Sequence, residues 1–335
     1  MKSLPRLNTK TGFNDSPHIV ILGAGASRAC CPQGDRNSKR LPLMLDLVET
    51  VGIEELVRNC GDNPKGNFEA IYSKIHRANH TIALDEIDEA VRTFFGQIEL
   101  PEEPTIYDYL ILSLRPKDLI LSFNWDPLLP QAYRRWRKLG RVLPQLAFLH
   151  GNIDVGYDSK AKNCGFLIDK PELTPTPLLY PVEQKNYNSN PFIEDQWKLA
   201  TVHLAQAYYV TIFGYSAPVT DIEAKALFLE AWRTNPTHTL AEFDIIDIRD
   251  ADQVKNSWSD FIVRSHGAAF DDIRNSILFQ HPRRTCEAFA FATLQQAPWR
   301  KDSFEDFQSL SQLEDWIMPL IEEEDSGKLS RIPHH

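Results

Sequence analysis

Four short stretches of this 335-residue sequence carry residue types that can bind a ligand or do chemistry, and each follows an apolar run. They are GAGAS (23–27), NWD (124–126), HG (150–151) and GYS (214–216). Small residues in a turn let backbone N–H groups approach a phosphate, and the dipole of a following helix assists. An amide or a carboxylate can bind hydroxyl groups, and a histidine can act as a general base near neutral pH. Together the stretches predict a site for a phosphate-bearing ligand with a base beside it.

Each stretch alone also has a purely structural explanation. Glycine is the usual residue wherever the backbone turns sharply, so GAGAS by itself is equally consistent with a tight turn. Asp126 precedes Pro127 and can cap a helix, and His150 can hydrogen-bond a neighbouring loop. Asn124 has no such simple explanation. Four ligand-type stretches at four strand ends are hard to explain by chance, and this favours the functional interpretation.

The elements that must position these stretches are five short apolar runs. Runs without polar alternation are typical of parallel strands that are buried on both faces. We therefore predict an α/β fold: a Rossmann-like parallel sheet with helices on both faces. The four stretches then meet at the carboxyl edge of the sheet, where ligands of open α/β sheets bind. The predicted strands are residues 18–22, 119–123, 146–150, 208–215 and 243–248.

A long stretch with helical periodicity separates the first two predicted strands. We predict a helical insertion after the first strand, at about residues 41–112, within a catalytic domain of residues 1–285. Such an insertion usually forms a lid or a small subdomain. Residues 286–335 are predicted to be a C-terminal helical tail.

The charge balance limits the classes of partner. The chain has 36 Lys and Arg against 46 Asp and Glu, a formal net charge of −10. Because such a chain repels nucleic-acid backbones, direct nucleic-acid binding is not expected, and the basic run YRRWRK (133–138) is interpreted as a surface helix. No run reaches the roughly 18 apolar residues of a membrane span, and the first residues lack the apolar core of a signal peptide. We expect a cytoplasmic protein without membrane contact.

The cysteines argue against a disulfide framework and against a zinc module. They are odd in number and irregularly spaced, and no CxxC pair occurs. His76 and His80 have a spacing that can bind metal, but no third ligand is evident in the sequence. We predict reduced thiols and no metal site. The five cysteines are Cys30, Cys31, Cys60, Cys164 and Cys286.

The motifs GAGAS, SFNWD, LHG and GYS, in this order, resemble those of the sirtuin-like NAD-binding family. The forms usual in that family are GAGxS, TxNxD, a catalytic HG and a later GxS. The resemblance spans roughly residues 18–250 and implies NAD+ as ligand. It implies a catalytic set, with Asn124 and Asp126 near the nicotinamide and its ribose and His150 as general base. It also implies a binding set for the pyrophosphate and adenosine, to which Asp247 is added by position alone: Gly23, Ala24, Gly25, Ala26, Ser27, Gly214, Tyr215, Ser216 and Asp247.

Two departures separate this chain from the sirtuin deacylases. Their paired CxxC motifs are absent, and so is their GIPDFR segment, of which only Leu41-Pro42 is suggestive. The chain is more similar to the zinc-free sirtuin-like NADases of bacterial antiphage defence. That resemblance implies hydrolysis of NAD+ to nicotinamide and ADP-ribose, which depletes the cell of NAD+, with NAD+ as substrate and no other cofactor. It also implies activation by assembly, as a homo-oligomer or with an ATPase or Argonaute-like partner. The insertion and the tail are the candidate regions for such contacts.

Two alternatives to a hydrolase remain open at this point. The chain could be a catalytically silent subunit that senses NAD+ or an ADP-ribose derivative. It could also be a zinc-free deacylase or ADP-ribosyl transferase, which requires an open groove for an acyl peptide. The joint presence of Asn124, Asp126 and His150 favours an enzyme over a sensor, because a sensor needs a phosphate turn but no base.

Overall fold

The strands of the protein form two sheets, one of which contains all five predicted strands. A computed structural model describes residues 15–180, 187, 190–216, 222–262, 266–294, 296 and 302–325. The strands within these residues are β1 His18–Leu22, β2 Leu119–Ser122, β3 Gln145–Phe148, β4 Val155–Asp158, β5 Asn163–Phe166, β6 Thr174–Pro175, β7 Tyr209–Phe213, β8 Glu242–Ile246 and β9 Ala269–Phe270.

The helices pack around the sheets, and none within the described ranges is long and apolar enough to cross a bilayer. Their bounds are α1 Ala24–Cys30, α2 Leu47–Val51, α3 Glu54–Asn59, α4 Phe68–Arg77, α5 Thr81–Gly96, α6 Ile106–Ser113, α7 Leu128–Trp136, α8 Pro191–Leu204, α9 Ile222–Thr234, α10 Ala251–Ser257, α11 Ile277–Gln280, α12 Thr285–Leu294 and α13 Leu310–Asp325.

The main sheet is parallel and has the strand order β3-β2-β1-β7-β8-β9. This is the doubly wound order of dinucleotide-binding folds, and it confirms the predicted Rossmann-like α/β class. All five residues of β1 are buried, as expected for the central strand of a sheet with both faces covered. The chain leaves β1 and β7 toward opposite sides of the sheet. A crevice therefore forms outside the carboxyl ends of these two strands.

The strand ends differ from the prediction where the site lies. β3 ends at Phe148 and β7 at Phe213, so His150 and Gly214 stand on turns rather than inside strands. The sixth strand, β9, was not predicted because it pairs with β8 over only two residues. The antiparallel sheet β5-β4-β6 was also missed, because residues such as Asn163 and Cys164 are exposed and leave no alternating apolar pattern.

Helices α2 to α6 occupy the chain between β1 and β2, in the region of the predicted insertion. On α5, Ile87, Val91 and Phe95 are buried at a spacing of four residues, which is the apolar stripe of an amphipathic helix. Helix α6 packs against both α1 and α7. The insertion thus contacts the elements that follow β1 and β2. That the insertion forms a lid or a subdomain stays a prediction. So does the boundary at residue 285 between the catalytic domain and the tail.

A buried ion-pair cluster connects the start of α12 to the end of α13. Glu324 receives two hydrogen bonds from Arg283, at 2.5 and 2.6 Å, and one from Arg284 at 2.7 Å. The Arg283 side chain is fully buried, and it also donates to the carbonyl oxygens of Leu114 and Val142. The predicted tail region therefore packs through α13 onto the body of the protein; residues 326–335 lie outside the described part of the chain.

Replacing Glu324 with alanine is expected to lower the free energy of unfolding by about 3 kcal/mol, because the buried guanidinium group of Arg283 loses its carboxylate partner and Arg284 keeps only Glu323, at 3.6 Å. Urea denaturation of the variant measures this change. The exposed Glu322 on the same helix provides a matched control, and Glu322→Ala is expected to be nearly neutral. Equal stability losses in the two variants would contradict a specific role for Glu324.

Candidate functional site

A large cavity lies at the carboxyl ends of β1, β2, β3, β7 and β8. Its volume of about 1060 Å³ is at the upper end of small-molecule sites, which run from roughly 300 to 1,000 Å³. Ala26 is fully buried and does not line the cavity, whereas the other residues predicted for the site do. Those lining residues are Gly23, Ala24, Gly25, Ser27, Asn124, Asp126, His150, Gly214, Tyr215, Ser216 and Asp247.

The glycines of the first turn are required by the close approach of a second turn. The N–H of Gly23 donates to the Phe213 carbonyl and that of Gly25 to the Gly214 carbonyl, both at 3.0 Å. A Cβ on Gly23 would lie 2.5 Å from the Gly214 carbonyl oxygen. Gly214 has a φ of +61°, and a Cβ there would lie 2.2 Å from the backbone nitrogen of Ala26. The two turns therefore interlock, and their contact shapes the crevice between β1 and β7.

This contact changes how the first turn can meet a phosphate. The N–H of Gly25 already has the Gly214 carbonyl as acceptor, and the N–H of Ala26 donates to the Gly23 carbonyl at 2.9 Å. Neither of these amides is left for an anion. Positive charge on the same cavity wall comes from Arg28 and Arg40, which lie 2.7 and 3.5 Å from one oxygen of Asp46. Two guanidinium groups share this one carboxylate.

Ser27 is the centre of a buried polar network. Its Oγ lies 2.6 Å from Asp126 Oδ2, 2.8 Å from Tyr107 Oη and 2.9 Å from Asn124 Nδ2. A carboxylate only accepts hydrogen bonds, so the single hydroxyl proton of Ser27 goes to Asp126. Ser27 Oγ then accepts from Tyr107 and from Asn124. The network thereby joins the ends of β1 and β2 to α6 of the insertion.

The network fixes what Asn124 can offer a ligand. Asn124 Nδ2 donates to the Gly23 carbonyl at 2.9 Å and to Ser27 Oγ at 2.9 Å. Because a carbonyl oxygen can only accept, this bond also settles which side of the amide is nitrogen. Both amide hydrogens are used within the protein, and the residue lines the cavity. Of the Asn124 amide, Oδ1 is therefore the atom left to serve a ligand, as an acceptor for a hydroxyl group or a water.

Asp126 lines the cavity and also hydrogen-bonds the first N–H of α7. Its Oδ1 accepts from the N–H of Leu128 at 3.1 Å, at the start of α7, while its Oδ2 accepts from Ser27. Burial raises the pKa of Asp126, and the hydrogen bonds from Ser27 and Leu128 oppose that rise. Both carboxylate oxygens thus have protein donors. The N-cap of α7 is Pro127, so Asp126 is not itself the cap residue, but its side chain bonds the N–H of Leu128, the first residue of the helix.

His150 stands two residues beyond β3, on the cavity wall and 6% exposed. Its ring is nearly perpendicular to that of Phe123, with centroids 4.7 Å apart, and nearly parallel to that of Tyr187, at 6.3 Å. Gly151 has a φ of +76°, and a Cβ there would lie 1.8 Å from the Pro177 carbonyl oxygen. The N–H of Leu179 donates to the His150 carbonyl at 2.9 Å. Packing on both sides holds the imidazole in place.

The residues predicted for the adenosine side line the cavity where β7 and β8 end. Tyr215 stacks on Phe123 with centroids 4.2 Å apart, and Ser216 is exposed at the rim. Asp247, just beyond β8, accepts from Arg249 Nε at 2.9 Å and from Arg249 Nη2 at 2.6 Å. The carboxylate predicted to meet a ribose hydroxyl is thus already paired with an arginine. Beyond β8 the cavity wall therefore carries an ion pair rather than a lone negative charge.

Sequence reasoning missed three side chains of the site. Tyr107 gives no signal because it lies in the insertion, far along the chain from Ser27. Asn152 closely follows the HG stretch and braces two turns, since its Nδ2 donates to the carbonyls of Asn124 at 3.2 Å and Asp126 at 2.7 Å. Arg28 lies directly after GAGAS and lines the cavity. The last two could have been found as polar residues that adjoin a motif.

The basic run and the cysteines have no contact that indicates a ligand. Each of the four cationic side chains of the run 133–138 is paired with a carboxylate, as expected for a surface helix of an acidic chain. Within the described residues, no group of three or more His, Cys, Asp or Glu is arranged to hold a metal ion, and the cysteines are unpaired thiols. The ion pairs are Arg134–Asp154, Arg135–Asp108, Arg137–Asp169 and Lys138–Glu314.

Comparison with solved structures finds similarity to Sir2 proteins. A Sir2 homologue in complex with NAD is 13% identical with a TM-score of 0.41, over 83% of this chain and 92% of that chain. Sir2 in complex with the inhibitor EX-527, 2′-O-acetyl-ADP-ribose and a deacetylated p53 peptide is 14% identical with a TM-score of 0.36, over 84% and 94%. A third structure, which concerns the mechanism and regulation of Sir2 enzymes, is 13% identical with a TM-score of 0.38, over 85% of this chain and 95% of that chain. No family model and no curated protein matches the chain.

Proposed function

We propose that this chain is an NAD+ glycohydrolase, which splits NAD+ into nicotinamide and ADP-ribose. The observation that carries the proposal is the position of Asn124 and His150 on the wall of one cavity, at the point where the strand order of a doubly wound sheet reverses. Such a crevice is where these folds bind dinucleotides. A hydrogen-bond acceptor and a base beside a bound sugar are the groups that hydrolysis at that sugar requires.

The proposed step replaces the bond between ribose C1′ and the nicotinamide nitrogen with a bond from C1′ to a water oxygen. The electron pair of the broken bond leaves with nicotinamide and neutralises its pyridinium nitrogen, so the leaving group needs no proton. The water loses one proton, which His150 accepts and returns to solvent. Asn124 Oδ1 accepts a hydrogen bond from a ribose hydroxyl or from the water and keeps the reacting atoms in line.

The charges on the cavity wall suit this substrate. Positive charge develops on the ribose as the bond to nicotinamide breaks, and the buried carboxylate of Asp126 supplies fixed negative charge on that side of the cavity. Arg28 and Arg249 line the cavity and carry the guanidinium groups that bind phosphate oxygens. These are the charges that a diphosphate between two riboses requires.

We extend the proposal to a biological role on the basis of the sequence resemblance. The enzyme would act in the cytoplasm as a toxic effector of antiphage defence, by depleting NAD+. It would be switched on by assembly, either as a homo-oligomer or with an ATPase or Argonaute-like partner that contacts the insertion or the tail. We expect cellular NAD+ to fall during phage infection in cells that carry the wild-type chain. It should not fall in cells that carry the His150→Ala variant.

The first test incubates purified protein with NAD+ and follows the release of nicotinamide and ADP-ribose by chromatography. Asn124→Ala is expected to lower the rate of release about 100-fold or more, because the acceptor that aligns the reacting atoms is lost. Asn235→Ala is the matched control: Asn235 is also buried and its Nδ2 also donates within the protein, to the carbonyls of Leu204 and Ala207, but it lies outside the cavity. Its rate should stay close to that of the wild type.

The outcomes separate the proposal from its alternatives. Release of nicotinamide and ADP-ribose in equal amounts, lost in Asn124→Ala and kept in Asn235→Ala, supports hydrolysis. Calorimetric binding of NAD+ without release, with every candidate partner present, favours a sensing subunit. Nicotinamide release that depends on an acylated peptide favours a deacylase. Absence of NAD+ binding overturns the proposal.

A further inference from the structure

Tyr107 brings a hydroxyl group from the insertion into the polar network of the site. It stands in the first turn of α6 and is 1% exposed. Its Oη lies 2.8 Å from Ser27 Oγ and 3.3 Å from Asn124 Nδ2. The proposed chemistry gives this hydroxyl no task of its own, although it touches two residues of the cavity wall.

The proton count of the network defines what Tyr107 does. Asp126 accepts the only hydroxyl proton of Ser27, so Tyr107 must be the donor in its bond to Ser27 Oγ. Burial, together with the negative charge of Asp126, raises the pKa of Tyr107 well above its usual range, so that the donor proton is kept. With Tyr107 and Asn124 both donating to its oxygen, the Ser27 hydroxyl has a single orientation. Asn124 Nδ2 is then held on Ser27 and on the Gly23 carbonyl.

The start of α6 is held in place by hydrogen bonds of Asp108, so it can fix the position of Tyr107. Asp108 accepts hydrogen bonds from the N–H and the hydroxyl of Thr105, both at 2.7 Å, which forms a capping box. Its other oxygen accepts from Trp136 Nε1 at 2.8 Å, and Arg135 lies 3.2 Å away. Asp108 thus joins the start of α6 to the end of α7. Tyr107 stands between two of these anchored residues.

We infer that Tyr107 is a positioning residue of the site: it acts through Ser27 to hold Asn124 with its Oδ1 toward the ligand. This inference rests on the proposed hydrolysis of NAD+. It means that a residue of the insertion sets the geometry of a residue on the β2 turn. A contact that displaced α6 would therefore change the alignment of Asn124 through two hydrogen bonds.

The test compares Tyr107→Phe with Tyr109→Phe, under conditions in which the wild type releases nicotinamide. Tyr109 is a matched control on the same helix: it is 5% exposed, it donates to the Glu305 carbonyl at 3.1 Å and it accepts from the N–H of Phe307 at 2.9 Å. Both variants remove one buried hydroxyl from α6, so both should lower the melting temperature. Only Tyr107→Phe is expected to lower kcat, about tenfold, while KM stays within about twofold.

A second measurement tests whether Tyr107 acts through Ser27. If it does, the double variant of Ser27→Ala and Tyr107→Phe should have the same kcat as Ser27→Ala alone, because the two substitutions remove one pathway. Effects on kcat that multiply would overturn the inference, as would equal kcat losses in Tyr107→Phe and Tyr109→Phe or a change confined to KM. A wild-type protein that binds NAD+ but never releases nicotinamide would instead overturn the proposed function, and this inference with it.

Discussion

Replacing His150 with alanine is expected to lower kcat for nicotinamide release by about 10²- to 10⁴-fold, the usual contribution of a general base. The imidazole is the group assigned to take the proton of the attacking water, and it lines the same cavity as Asn124. Removal of the ring leaves the two turns and the guanidinium groups in place. Binding of NAD+, measured by calorimetry on the same preparation, should therefore change by no more than about threefold.

A histidine outside the cavity provides the control for His150. His203 on α8 is partly buried, and its ring hydrogen-bonds the Leu199 carbonyl at 2.9 Å and Gln145 at 3.3 Å. His203→Ala therefore removes a bonded imidazole without touching the proposed site. Its kcat should match that of the wild type. Undiminished turnover in His150→Ala would exclude His150 as the base, and a loss of NAD+ binding in step with kcat would assign it a binding role instead.

The sequence predicts five strands of the main sheet well because each of them follows from the residues of its own apolar run. Strand β1 is an example: all its residues are apolar except His18, and the strand forms where the run stands. His18 is buried with both ring nitrogens bonded, to Thr285 at 2.9 Å and Thr211 at 2.8 Å. Burial lowers the pKa of His18 to about 3, so it behaves as a neutral core residue. Strand β9 was missed because two residues carry no periodicity.

The site was predictable in its location but not in its connections. The carboxyl ends of parallel strands must share one edge, so GAGAS and NWD had to come close to each other. The pattern could not show that the amides of Gly25 and Ala26 already have acceptors, because those acceptors belong to Gly214 and Gly23 in the folded chain. It also could not show that Asp247 is paired with Arg249. The bond from Gly25 to Gly214 depends on tertiary geometry. The bonds of Ala26 to Gly23 and of Arg249 to Asp247 join residues three and two positions apart, and they depend on the local backbone and side-chain conformation.

Gly214→Ala is expected to abolish NAD+ binding and to destabilise the fold by at least about 3 kcal/mol, from the cost of a left-handed backbone with a Cβ and from overpacking. The new methyl group would lie 2.2 Å from the Ala26 nitrogen and 2.5 Å from the Gly25 carbonyl carbon, and backbone atoms cannot move aside as a flexible side chain can. To relieve the contact, the turn after β7 must separate from the turn after β1. The crevice between them would then lose its shape.

Gly52→Ala separates the steric effect from the backbone effect. Gly52 ends α2 with a φ of +82°, but a Cβ there would meet no atom within 4 Å. This variant should lose only the about 1 to 2 kcal/mol of an alanine in the left-handed region, and it should bind NAD+ as the wild type does. The comparison uses urea denaturation for stability and calorimetry for binding. If Gly214→Ala and Gly52→Ala were equally stable and both bound NAD+, the interlocked turns could not be what shapes the crevice. The glycine at position 214 would then be explained by its left-handed backbone conformation alone.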